Sequence, residues 1–94
     1  MVKIIEFSGP CCGLCKMIAP LVKKTIAEFP ATEVCLQEVD ATQGEGLELA
    51  LKHHVQQVPA FLFLNEAGEV VYRHSGSVTA GLIKRKIAEI QGAQ

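Results

Sequence analysis

Phe7-Ser8-Gly9-Pro10-Cys11-Cys12-Gly13-Leu14-Cys15-Lys16-Met17-Ile18-Ala19-Pro20 is the stretch that decides how this chain folds, because it joins a strand end, a turn and a helix start around two cysteines two residues apart. Before it, Val2 to Ser8 is short, β-rich and ended by Gly9-Pro10, the profile of a buried strand. After it, Ile18, Leu21, Val22, Ile26 and Phe29 recur at helical spacing, which predicts a helix from Cys12 to Phe29 closed by Pro30. Pro20 lies inside that helix and removes one backbone hydrogen bond, so a kink is expected there, with the helix continuing beyond it.

Outward from this stretch, Glu33 to Asp40 reads as a strand and Thr42 to Gly46 as a polar, glycine-bearing loop. A helix is expected from about Glu45 to His53, with Leu47, Ala50 and Leu51 as its apolar face. Val58-Pro59 opens an apolar strand, Ala60 to Leu64. Turn chemistry at Asn65-Glu66-Ala67-Gly68 links it to Glu69 through His74 as an antiparallel hairpin. Ser75-Gly76-Ser77 ends the hairpin, Thr79 can cap, and Leu82, Ile83, Ile87 and Ile90 mark a last amphipathic helix. The order β-α-β-α-β-β-α predicts an α/β fold: one mixed, four-stranded sheet with helices on both faces.

The chain has 94 residues, and 9 Lys+Arg against 10 Asp+Glu leave a net charge of −1. One domain over residues 1–94 accommodates this length. So balanced a charge provides no basic field to neutralise phosphates, so no nucleic-acid partner is expected. No run approaches the roughly 18 apolar residues of a membrane span, and the N-terminus lacks the apolar core of a secretion signal. A monomer in the cytoplasm, away from the membrane, is the expectation. Thiols are kept reduced there, and clustered cysteines more often serve catalysis or metal binding than stapling.

A Cys-x-x-Cys pair at a helix start has a physical advantage. Unpaired backbone N–H groups and the positive end of the helix dipole favour a thiolate on the first cysteine, which makes Cys12 the expected nucleophile. Cys15 follows one turn later on the same side, so a Cys12–Cys15 disulfide needs little backbone movement. The competing reading makes the same thiols metal ligands. Zinc requires a second half-site, and none is legible: Cys35 is alone, His53 and His54 are adjacent, and His74 is isolated. An iron–sulfur cluster held by Cys11, Cys12 or Cys15 is left open as the alternative. Glu6 interrupts the apolar first strand, where burial would raise its pKa toward the range useful for proton transfer; the role assigned to it is to take the proton from Cys15, through water. A strand-end glutamate reaching solvent or a lysine is the plainer alternative. For Pro59, base rates alone give a trans bond.

Taken together, these residues resemble the thioredoxin family. The segment Phe7 to Pro20 is similar to its active-site segment, with C-G-L-C in place of C-G-P-C, and Val58-Pro59-Ala60-Phe61-Leu62-Phe63-Leu64, Glu66 to Val70 and Ser75-Gly76 are similar to its proline-led strand, hairpin and glycine before the last helix. The resemblance implies a thioredoxin fold and a protein-disulfide oxidoreductase that needs no cofactor. Cys12 would be the exposed attacking thiol and Cys15 the buried resolving thiol. Glu6 falls on the family's buried acidic position. Pro59 would be cis against the disulfide, Val58 would offer free backbone to an extended substrate segment, and Gly76 would keep the facing wall low. Client proteins carrying disulfides and a disulfide reductase would be the partners.

The departures are specific. Cys11 stands where the family has tryptophan, a position on the rim of the substrate groove. Leu14 replaces a proline that helps set the balance of thiolate and disulfide, and Leu36 stands in the place of the lysine that accompanies the buried acid. The family's leading strand and helix are unmatched, which makes the chain similar to short thioredoxin-like or glutaredoxin-like proteins. Cys35 is expected to be a core residue of a central strand, and His53, His54 and His74 to lie at the surface.

Overall fold

The computed structural model describes residues 1–93. The chain forms β1 (Val2–Ser8), α1 (Gly13–Ile26), β2 (Val34–Asp40), α2 (Gly44–Lys52), β3 (Ala60–Leu64), β4 (Val70–Ser75) and α3 (Ala80–Ala93). The four strands make one sheet in the order β2-β1-β3-β4. β1 runs parallel to β2 and antiparallel to β3, and β3 and β4 form an antiparallel hairpin. This is the expected element order and the expected mixed sheet.

β1 is inner and covered on both faces, which explains why its sequence is a nearly continuous apolar run rather than an alternation. Val2 and Ile4 pack with Phe61 and Phe63 of β3 against Ile18, Val22 and Ile26 of α1 and Ile83, Ile87 and Ile90 of α3. On the opposite face Ile5 and Phe7 of β1, Val39 of β2 and Leu62 of β3 pack against Ala50 of α2. Each such fully buried side chain is worth about 1.5–3 kcal/mol of transfer free energy. At the β3–β4 turn, Asn65 Oδ1 accepts the Glu69 N–H at 3.0 Å and Gly68 takes a φ of +81°, a conformation that favours glycine. Thr79 Oγ1 accepts the Leu82 N–H at 3.1 Å and so caps α3.

Three expectations are corrected. α1 passes through Pro20 but ends at Ile26 instead of Phe29, because the Glu28 and Phe29 N–H groups turn back to the carbonyls of Thr25 and Ile26 and Phe29 folds onto the core. Leu47 and Leu51 do not form the inner face of α2: Leu51 is 66% exposed, and Ala50 and Leu49 face the sheet instead. Gly46 is the cause. Its bare Cα lies so close to the Asp40 carbonyl that any Cβ would overlap it, which fixes the side of α2 that meets the sheet. Cys35 lies on β2, an edge strand, and is only half-buried.

The topology brings three segments to one end of the sheet. β1 ends there, and the antiparallel registers Phe7↔Ala60 and Ala60↔Ser75 put the start of β3 and the end of β4 beside it. The two cysteines, Val58-Pro59 and Gly76 all flank that end.

Candidate active site

The turn leaving β1 is closed by the Cys12 N–H donating to the Gly9 carbonyl at 3.3 Å, with Pro10 at the position where its fixed φ suits a turn. That turn delivers Cys12 to the N-cap of α1 in an extended conformation, φ −102° and ψ 102°. Cys12 and Cys15 are joined by a disulfide, their Cα atoms 5.2 Å apart. Cys12 Sγ also accepts the Cys15 backbone N–H at 3.1 Å, the hydrogen bond by which a side chain at this position satisfies one of the free donors of a helix start. Once the disulfide is reduced, the same donor and the helix dipole are placed to stabilise a thiolate on Cys12. The two residues differ in access: Cys12, which the family resemblance implies is exposed, is half-buried, and Cys15 is only 4% exposed.

Beside Cys15 lies a cavity of about 120 Å³ lined by Glu6, Ser8, Gly9, Lys16, Ala19 and Glu38 as well as Cys15 itself. Glu6 is 3% exposed, and neither carboxylate oxygen has a hydrogen-bond partner. Burial is the first reason that its pKa is pushed up to about 6; the like charge of Glu38 adds to this, and Lys23 opposes it. Lys23 Nζ lies 3.5 Å from Glu38 Oε1. So the cation missing at Leu36 comes from α1 instead. Sequence reasoning missed both Glu38 and Lys23, because only strand register and helix orientation bring them to the acid.

The Val58–Pro59 peptide is cis, where base rates alone give trans. Among the described residues the backbone of Val58 makes no hydrogen bond within the chain, while the Pro59 carbonyl accepts the Gly76 N–H at 2.8 Å. Gly76 has a φ of +88° and, lacking a side chain, opens space at this end of the sheet. Cys11 is an exposed free thiol. Of the histidines, His54 is exposed, whereas His53 and His74 are half-buried; burial, then neighbouring Lys52, Arg73 and His54, lowers the His53 pKa. No group of three or more His, Cys, Asp or Glu among the described residues is arranged to hold a metal ion. No described helix is long and apolar enough to cross a membrane.

The family model for thioredoxin matches residues 1–89. The chain belongs to the thioredoxin family. It is 32% identical to Thioredoxin-1 of Caenorhabditis elegans over 91 residues, spanning 97% of this chain and 74% of that one. It is 29% identical over 75 residues to Protein disulfide isomerase-like 1-1 of Arabidopsis thaliana, spanning 78% of this chain but only 15% of that relative's length. The solved thioredoxin of Fasciola hepatica superposes with a TM-score of 0.80 at 31% identity, covering 95% of this chain and 80% of that one. A thioredoxin fold with its C-x-x-C pair at Cys12 and Cys15 accounts for all three matches.

Proposed function

We propose that this thioredoxin-family chain is a thiol–disulfide oxidoreductase that reduces disulfides in client proteins. The observation that carries the reading is the Cys12–Cys15 disulfide at the α1 N-cap, with Cys12 the less buried residue of the two. In the reduced form the Cys12 thiolate attacks a client disulfide, forming a Cys12–client bond and releasing one client thiolate. Cys15 loses its proton and attacks Cys12; the Cys12–Cys15 bond forms, the Cys12–client bond breaks, and the second client thiolate leaves. Two electrons pass to the client, whose thiolates take protons from solvent. A disulfide reductase supplies two electrons and returns the pair to the dithiol state.

Glu6 takes the Cys15 proton through a bridging water; the support for this is that both residues line one cavity of about 120 Å³, room enough for a water. The free backbone of Val58, the wall at Pro59 and the open space at Gly76 suit an extended client segment pairing as an added strand, with Cys11 at the rim. This cycle suits a reducing compartment such as the cytoplasm, where it carries electrons and keeps protein thiols reduced, with the chain as a monomer.

The test is turnover of a disulfide-linked fluorescent peptide with dithiothreitol as reductant. The parent is expected to accelerate reduction. Cys12→Ser is expected to fall to background, and Cys15→Ser to do so while accumulating a peptide adduct on Cys12. Turnover that survives Cys12→Ser would overturn the assignment.

A further inference from the structure

Glu6 has a neighbour that the exchange cycle does not use. In the parallel β1–β2 ladder Glu6 is opposite Glu38, which puts both side chains on the α1 face of the sheet, where both line the cavity beside Cys15. The two carboxyls sit in different surroundings. Glu6 is sealed and without a partner, whereas the Glu38 side chain is 48% exposed and paired with Lys23. Lys23 lies about two turns beyond Cys15 on α1, so the helix that carries the thiol also carries the cation. The cavity therefore has a buried end at Glu6 and Cys15 and an exposed end at Glu38.

We propose that Glu38, held by Lys23, is a positioning residue of the exchange reaction, tuning how readily Glu6 takes the Cys15 proton and giving that proton its way out to solvent. The inference rests on the exchange cycle proposed for Cys12 and Cys15. In the resolving step the Cys15 S–H bond breaks and its proton goes to the Glu6 carboxylate. Glu6 later returns the proton to solvent by way of Glu38, and no electrons move in that transfer. The charged groups that face Glu6 are Glu38 from β2 and Lys16 and Lys23 from α1; from β3, Phe61 stands opposite and brings no charge. Glu38 thus strengthens proton binding at Glu6 and Lys23 weakens it. Both side chains are about half exposed, so replacing them leaves the core intact.

The experiment mixes reduced protein with an aromatic disulfide across pH 5–9 and quenches it in acid at intervals. Mass spectrometry then counts the Cys12 adduct and the internal disulfide. In the parent, the resolving rate is expected to rise with pH as Glu6 ionises. Glu38→Gln is expected to move that rise to lower pH by about half a unit, and Lys23→Gln to move it to higher pH by a similar amount. Neither shift should survive in a Glu6→Gln background, and adduct formation at Cys12 should keep its own profile throughout. Profiles that superimpose on the parent, that move in the same direction, or that still move without Glu6 overturn the proposal. A parent that never forms the Cys12–Cys15 disulfide overturns the exchange cycle itself, which separates the two failures.

Discussion

Glu6 and Asp40 are carboxylates on the same face of the same sheet, and the fold drives them in opposite directions. Asp40 stands opposite Ser8 at the end of the β1–β2 ladder, one rung pair beyond Glu6 and Glu38. It accepts hydrogen bonds from the Thr42 hydroxyl, from the Thr42 N–H at 2.8 Å and from Gln43 Nε2 at 3.3 Å. Those donors, the Thr42 hydroxyl first, hold its pKa below the ordinary 3.8. Glu6 has no donor at all and is pushed up to about 6, chiefly by burial. The chain surrounds the acid that shapes the β2–α2 loop with donors and withholds them from the acid beside the thiol. The first is held charged by its donors, and the second is left without any, its pKa raised.

The largest effect is expected from Glu6→Gln. Without the carboxylate, resolution by Cys15 should slow by roughly tenfold to a hundredfold, while the first attack by Cys12 is nearly unchanged. Rapid-quench kinetics separate the two steps, and equal resolving rates would remove Glu6 from the cycle. The same variant tests the pKa. A folded-state value of about 6 against an ordinary 4.5 means that ionised Glu6 opposes folding. The Glu6 contribution to parent stability should therefore be most favourable below pH 4.5, fall by about 2 kcal/mol as pH rises through 6, and then level off. In Glu6→Gln that fall should vanish. Denaturant titrations at pH 4.5 and 8 supply the comparison.

On the Asp40 side, Gly46→Ala forces a methyl group into the Asp40 carbonyl and should cost about 1–3 kcal/mol at any pH, measured by urea melts. The smallest effect belongs to Asp40→Asn. Its lowered pKa means that ionised Asp40 favours folding, so the variant should be slightly less stable than the parent above pH 4, with the gap closing as pH falls through 3.8 and below. This pH trend has the opposite sign to that of Glu6, and resolution kinetics should not change. A matching sign for the two acids would undo the contrast between them.

Much of this was legible in the chain. Helical spacing marked the helices, short apolar or alternating runs marked the strands, and the turn residues at Gly9-Pro10 and Asn65 to Gly68 marked where they join. Cys12, Cys15 and Glu6 were legible because each is chemically out of place: two thiols at a helix start, one acid in an apolar strand. What stayed hidden depends on three-dimensional register. Leu47 and Leu51 have the spacing of an inner face, yet the close approach at Gly46 turns Ala50 inward. Cys35 sits in an apolar run, yet its strand is an edge. Glu38 and Lys23 are ordinary surface charges along the chain, and only the β1–β2 pairing and the path of α1 bring them to Glu6.

The central claim is that Cys12 and Cys15 act as one two-electron couple. The most direct measurement equilibrates the protein across a series of glutathione redox ratios, traps free thiols by alkylation and reads each cysteine by mass spectrometry. Cys12 and Cys15 are expected to lose their thiols together along a single two-electron curve, with Cys35 outside it. Independent oxidation of the two, or a Cys12 that pairs only with glutathione and never with Cys15, would contradict it.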